Sequence, residues 1–235
     1  GHTQLGNARF HCWKKHGHGW QDMTEAHKNS CDVYFYDIAK RIGIDRIAQM
    51  ANRLGFGSKT GIDLPSEKSG VIPTRAWKKA LIGTPWQQGE TLISGIGQGF
   101  ILSTPLQLAV MTARIANGGK AVVPRLVRPS GADQKDKEPE FKPLGISKWA
   151  LDIVRDGMNR VTNEQRGTAY RARIKEEGME MSGKTGTAQV RPISKAERDT
   201  RVLKNHERPW RQRDHALFVG YAPSDNPRYA VAVVV

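Results

Sequence analysis

The last third of the chain constrains the fold most. Three runs of strand-forming residues, 180–190, 216–221 and 229–235, follow a first half patterned for helices. Pro223-Ser224-Asp225-Asn226-Pro227 is a turn cluster between the last two runs, and a turn that short joins antiparallel neighbours. Helices first and antiparallel strands last predict an α+β domain, an antiparallel sheet flanked by helices. At 235 residues, 38% hydrophobic and 26% charged, the chain can bury a core as one soluble domain. It has no run of roughly 18 apolar residues, and residues 1–30 have no signal-peptide core.

Residues 1–21, rich in Gly, His and Lys, are expected as loop or short strand. Asp22 and Glu25 have capping-box spacing, and a helical stretch follows to about Ile42, with Gly43 as its stop. Asn29, Ser30 and Asp32 compete with helical backbone bonding and mark a break near Ser30. A second helix is expected from about Asp45 to Leu54, ended by Gly55. Residues 55–100, punctuated by Gly and Pro, read as short strands and loops. Thr104-Pro105 starts a helix that runs through Leu108, Met111 and Ile115 to Gly118-Gly119. Residues 121–127 are expected as a strand, 130–143 as an exposed polar loop and 147–161 as an amphipathic helix. The charged segment 191–215 lies between two strands. It reads as a disordered surface loop in preference to a flap or a contact for anionic glycan.

The net charge of +14 suits an anionic partner. The basic residues are nevertheless spread along the chain without interleaved aromatics, and no zinc-finger or helix-turn-helix signature occurs, so no nucleic-acid partner is expected. Cys12, His18 and Cys31 are spaced Cys-x5-His-x12-Cys. Three such ligands suit a structural Zn²⁺ with a fourth ligand from upstream; a Cys12–Cys31 disulfide and free thiols are the alternatives.

Lys-Thr-Gly, expected by chance in about one chain in twenty of this length, occurs twice, at Lys59-Thr60-Gly61 and at Lys184-Thr185-Gly186. The first copy lies among turn residues, whereas the second opens the first of the three terminal strand runs. Only a strand edge lets an extended peptide pair with the backbone while an ammonium and a hydroxyl hold its carboxylate, so the second copy is the candidate site.

The second copy resembles the third motif of active-site-serine penicillin-binding proteins and β-lactamases, and Ser30-Cys31-Asp32 resembles the second. Gly95-Ile96-Gly97-Gln98-Gly99, Ser103-Thr104-Pro105-Leu106-Gln107, Thr60-Gly61-Ile62-Asp63-Leu64-Pro65 and Gly186-Thr187-Ala188-Gln189-Val190 are similar, in order, to segments of class B penicillin-binding proteins. The stretch from Cys12-Trp13 through Ser30-Cys31-Asp32-Val33-Tyr34 resembles their elongation-type branch. The first motif, Ser-x-x-Lys, does not occur in the sequence. Both ends of the chain are therefore expected to be cuts, with the nucleophile upstream and residues 1–235 forming part of a transpeptidase domain.

The resemblance implies the penicillin-binding protein and serine β-lactamase fold, and a D,D-transpeptidase that cross-links peptidoglycan stem peptides through an acyl-serine. It also implies covalent binding of β-lactams, an anchor in the bacterial inner membrane, a periplasmic catalytic domain and a membrane glycan polymerase as partner. Ser30 and Lys184 would be catalytic, Ser30 relaying a proton; Thr185, Gly186 and Thr187 would hold substrate, the Thr187 N–H serving the oxyanion hole. Asp32 stands where the broader family has Asn; an ionised carboxylate cannot donate to a substrate carbonyl, so it would orient a neighbour or pair with a cation. Some elongation-type members carry a zinc beside the second motif, which would be held here by Cys12, His18 and Cys31. A β-lactamase or β-lactam sensor, and a non-enzymatic basic zinc-stabilised binding module, are the competing functions.

Overall fold

The structure, a computed structural model, describes residues 1–127 and 140–235. It opens with a hairpin of β1 (His2–Leu5) and β2 (Ala8–His11), turned at Gly6 with φ +56°. Helices α1 (Met23–Asn29), α2 (Asp32–Ile42) and α3 (Ile44–Leu54) follow. Next come α4 (Arg75–Ile82), α5 (Gln88–Ser94), α6 (Pro105–Ala116) and α7 (Lys148–Asn163). The chain then forms β3 (Ser182–Ala188), α8 (Lys195–Asp199), β4 (His215–Ala222) and β5 (Tyr229–Val234). The last three strands make an antiparallel sheet in the order β3-β4-β5, so the α+β expectation holds and β3 lies at an edge. Among the described residues no helix is long and apolar enough to cross a membrane.

Helix α7 packs against β3, and α6 against β4 and β5. Their shared core is Ile115, Ala116, Met158 and Tyr221, flanked by Leu54, Met111, Val154 and Ala230. The helix starts read from the sequence are made as their residue types dictate. Thr104 accepts from the Gln107 N–H and Gln107 returns a bond to the Thr104 N–H, with Pro105 in the first turn. Fully buried Gln107 spends its remaining donors on the carbonyls of Ser58 and Ser69, tying the 58–70 segment to α6.

The expected break near Ser30 divides α1 from α2, with Ser30 in the left-handed region at φ 52°, ψ 51°. The capping box at Asp22 is half made. Asp22 accepts from the Glu25 N–H at 2.8 Å, but the Glu25 carboxylate turns to Lys28 and Arg160. Buried Lys28 also reaches Glu164 at 2.6 Å, and Arg160 pairs with Asp156, so a network of charges clamps α1 to α7. Gly157 on α7 permits the approach: a Cβ there would lie 2.9 Å from the His27 side chain. Helix α7 in turn grips β3, because Thr162 and Asn163 both donate to the Met181 carbonyl just ahead of the strand.

Three expectations need correction. Residues 55–100 hold two helices besides loops: Thr74 caps α4, and Gln87 with Glu90 caps α5, so local capping overrides the Gly and Pro punctuation. Residues 121–127 form no strand. Among the described residues this stretch is paired by the Lys120–Pro143 bridge and a bond from Ala121 N–H to Lys142 O and has no partner strand, and β-branched residues without one stay irregular. Segment 191–215 is ordered by its own charges: Arg191 pairs with Glu197, Arg201 with Glu207, and buried Arg208 with Asp214 at 2.9 Å. Asp214 also accepts from the Val190 N–H. The loop expected over 130–143 lies, up to residue 139, outside the described residues.

Thr162 is fully buried and its hydroxyl bonds Met181 O, so Thr162→Val should cost about 1–2 kcal/mol in urea unfolding. A loss near zero would show that this hydroxyl does not hold α7 to β3.

Candidate functional site

The site is the meeting of the α1–α2 turn with the outer edge of β3. At the turn, Ser30 is held left-handed, a conformation that costs a non-glycine residue of order 1 kcal/mol and so needs support from its surroundings. Trp13 supplies it. The indole N–H donates to the carbonyls of Asn29 at 3.1 Å and Ser30 at 2.9 Å, while the Trp13 backbone N–H donates to Asp32 Oδ2 at 2.9 Å. Asp32 is the first residue of α2, and its carboxylate anchors the 12–13 segment.

Across the gap, Lys184 Nζ donates to Ser30 Oγ at 2.6 Å and to the Thr185 carbonyl at 2.8 Å. The two motifs are 154 residues apart in sequence and in direct contact in the fold. Burial lowers the Lys184 pKa to about 8, with the Asp32 carboxylate pulling the other way. Burial likewise raises Asp32 to about 6, opposed by the Trp13 N–H and Lys184. His27, beneath the turn, is pushed down to about 4 by burial and then by Lys184, so it is neutral at pH 7. The site therefore presents one ammonium, a hydroxyl that accepts from it, and a carboxylate already committed to a backbone N–H. Because the ammonium donates to Ser30 Oγ, the Ser30 proton is free to point toward a ligand.

The remaining candidates lie along the same strand. Thr185 Oγ1 is 2.8 Å from Thr168 Oγ1. Gly186 shares the Lys184 face by strand alternation, and a Cβ there would meet only Leu217 at an ordinary 3.4 Å. Internal packing thus does not demand glycine at 186; the missing side chain leaves the site face clear. Thr187 is exposed, and its carbonyl accepts from the side chain of Gln98, so its N–H also points outward from the edge. The rejected copy has a different job: Thr60 and Gly61 donate to the Glu67 carboxylate in a turn, with Gly61 at φ +81°. Trp13, Thr168 and Gln98 escaped the sequence reading as site residues. Trp13 and Gln98 stood inside the quoted motif segments, but nothing in their type marked them.

Cys12, His18 and Cys31 come together beside the turn, their ligand atoms all within 4.8 Å of one another. Both cysteines are buried free thiols. A hydrogen bond between the two thiols raises Cys12 to about 12 and lowers Cys31 to about 6. Cys12 Sγ lies 3.6 Å from His18 Nδ1, and tetrahedral zinc places a sulfur and a nitrogen ligand about 3.5 Å apart. The donor set and its spacing fit a zinc ion.

The penicillin binding protein transpeptidase domain family matches residues 1–235. Peptidoglycan D,D-transpeptidase MrdA of Acinetobacter baumannii is 40% identical over 231 residues, which covers 96% of this chain and 33% of that protein. The chain thus spans about a third of the length of this curated relative. The penicillin-binding protein PBP2 of Helicobacter pylori, solved in complex with MreC, superposes with a TM-score of 0.82 at 35% identity, covering 100% of this chain and 40% of that one. PBP2 of Pseudomonas aeruginosa gives 0.81 at 38% identity, covering 100% and 49%.

The ε-carbon signal of Lys184 should titrate near pH 8, well below the ordinary lysine value of 10.5. The ammonium is the costly form in the folded state, so this group weakens folding below about pH 8, and the penalty fades as pH rises toward 10.5. Lys184→Met should therefore gain stability relative to wild type at pH 7 and lose that advantage by pH 10.5. An ε-carbon titration at the ordinary value would show that the Lys184 ammonium is not desolvated.

Proposed function

The chain belongs to the penicillin-binding protein transpeptidase family, and on that premise we propose that it forms the substrate-holding wall of a peptidoglycan D,D-transpeptidase site. The observation that carries this reading is the 2.6 Å contact from Lys184 Nζ to Ser30 Oγ, which joins two of the family's three motifs. The nucleophilic serine and its lysine would come from a segment preceding Gly1. That serine attacks the D-Ala-D-Ala carbonyl, the C–N bond breaks, and terminal D-Ala leaves as an amine, giving an acyl-enzyme. An amine of a neighbouring stem peptide then attacks the ester, restoring the amide bond and the serine hydroxyl.

In this chemistry the chain's own residues have separate duties. Ser30 passes a proton between the catalytic lysine and the departing or incoming amine, and the Lys184 ammonium keeps its oxygen oriented. The hydroxyls of Thr185 and Thr187 and the charge of Lys184 hold the terminal carboxylate, while the clear face at Gly186 admits the peptide backbone. The outward N–H of Thr187 donates to the oxyanion. Asp32 acts through position: it fixes the 12–13 segment against the turn and leaves substrate donation to others.

The partners follow from the same reading: stem peptides, β-lactams that acylate the same serine, and a glycan polymerase of the elongation machinery. The setting is the cell envelope, with the domain in the periplasm and an inner-membrane anchor outside this chain. A β-lactamase or a non-enzymatic module is less favoured, because the relative reported above is named as a transpeptidase. A zinc ion held by Cys12, His18 and Cys31, with a fourth ligand from outside the chain, would rigidify the Ser30 turn and take no part in the reaction.

Fluorescent penicillin should label the full-length protein, and Ser30→Ala should slow that acylation by roughly 100-fold or more while the fold is kept. Absence of labelling in the wild type would sink the transpeptidase reading. Metal analysis of protein purified without chelator should give about one zinc per chain, falling to near zero in Cys31→Ser. A metal-free wild type would remove the zinc.

A further inference from the structure

We propose that Gln98 is a placeholder for substrate backbone, its side-chain carboxamide covering the β3 edge until an extended peptide displaces it. The proposal rests on the transpeptidase reading and adds a residue to which that reading gives no task. Among the described residues β3 is paired on one side only, by β4. On the free side Gln98 Nε2 donates to the Thr187 carbonyl, and Gln98 Oε1 accepts from the Gln189 N–H at 3.3 Å. These are consecutive outward-facing backbone groups of the strand, the ones an added peptide would bond.

The chemistry of the side chain matches the task. A primary amide carries the same donor and acceptor as a peptide bond, so glutamine satisfies both groups at once, whereas Glu lacks the donor and Ala lacks both. The backbone around it lets this side chain move alone. Gln98 N–H is fastened to the Ile93 carbonyl at 3.1 Å, and Gly97 N–H to that of Ser94 at 3.0 Å, so the loop stays on α5. Gly97 and Gly99 flank it at φ +77° and +78°, and a Cβ at Gly97 would meet nothing within 4 Å. The residue is half-buried against an exposed strand edge, with open space beside it.

Displacement breaks both bonds that Gln98 makes, and leaves the Gln189 N–H to a carbonyl of the ligand or to water. The ligand's N–H replaces that of Gln98 at Thr187 O, and the Thr187 N–H beside it is then ordered for the oxyanion. The ligands affected are extended peptides, and acylamino compounds that present an N–H at that point. A ligand without such an N–H has no reason to move Gln98.

The test compares two fluorescent β-lactams on the full-length protein, an acylamino penicillin and one whose ring substituent is a hydroxyalkyl group with no N–H. Gln98→Ala should raise the acylation rate constant for the acylamino compound about 2- to 10-fold, the value of one net hydrogen bond, and leave the other unchanged. Gln98→Glu should act in the same direction, since its carboxylate cannot donate to Thr187 O. Equal changes for both compounds, or a slower reaction with the acylamino compound, would overturn the proposal. Amide hydrogen exchange separates this failure from that of the underlying reading. Exchange at Gln189 should quicken in Gln98→Ala whether or not the protein is labelled, and unchanged exchange there would overturn the placeholder role. A wild type that neither compound labels overturns the transpeptidase reading and, with it, the catalytic meaning of the displacement.

Discussion

The contact between the Lys184 ammonium and the Ser30 hydroxyl depends on a relay of packing that starts far from it. Charges clamp α1 to α7, and Gly157 lets the two helices close on each other. Thr162 and Asn163 then hook α7 to the residue before β3. Ser30 ends α1 and Lys184 sits near the start of β3, so this relay sets the distance between them. The core beneath α6, α7 and the sheet supplies the hydrophobic driving force, but it fixes only layers. Directional bonds at the helix ends place the two side chains.

Much of this organisation could be read before any coordinates. Strand periodicity separated the two Lys-Thr-Gly copies, and the fold shows why it succeeded: one is an edge strand, the other a turn closed by Glu67. The break at Ser30 was readable because Asn, Ser and Asp side chains offer the backbone alternatives to helix. Helices α4 and α5 were hidden because each is only about two turns long and lies among Gly and Pro residues. The β-branched run at Val122-Val123 resembled a strand in type and has no partner strand among the described residues, which local sequence does not encode. In segment 191–215 the charge count suggested disorder, whereas the pairing of individual charges produced order.

The site residues divide in the same manner. Ser30, Lys184, Thr185 and Thr187 could be named as candidates from sequence because they fall in short motifs, and the fold brings Ser30 against the strand that carries the other three. Trp13 was not, since its part is played through an indole N–H and a backbone N–H, and neither function marks a tryptophan in advance. Asp32 shows the intermediate case. Its charge argued against direct substrate donation, and the fold then found it holding Trp13. The cysteine and histidine cluster was visible as spacing, but its assembly from the residue after β2, the loop that follows and the N-cap of α2 is a property of the fold.

A strand kept unpaired so that a peptide can join it is also a template for another copy of the same chain. The make-up of β3, Ser182-Gly183-Lys184-Thr185-Gly186-Thr187-Ala188, answers that hazard. It contains two glycines and a half-buried cation, and no large apolar side chain, so edge-to-edge pairing gains little hydrophobic reward. β5 has the opposite make-up, Tyr229-Ala230-Val231-Ala232-Val233-Val234. On the proposed reading, the residues that would receive substrate at β3 therefore also limit such pairing, and one short sequence meets both demands.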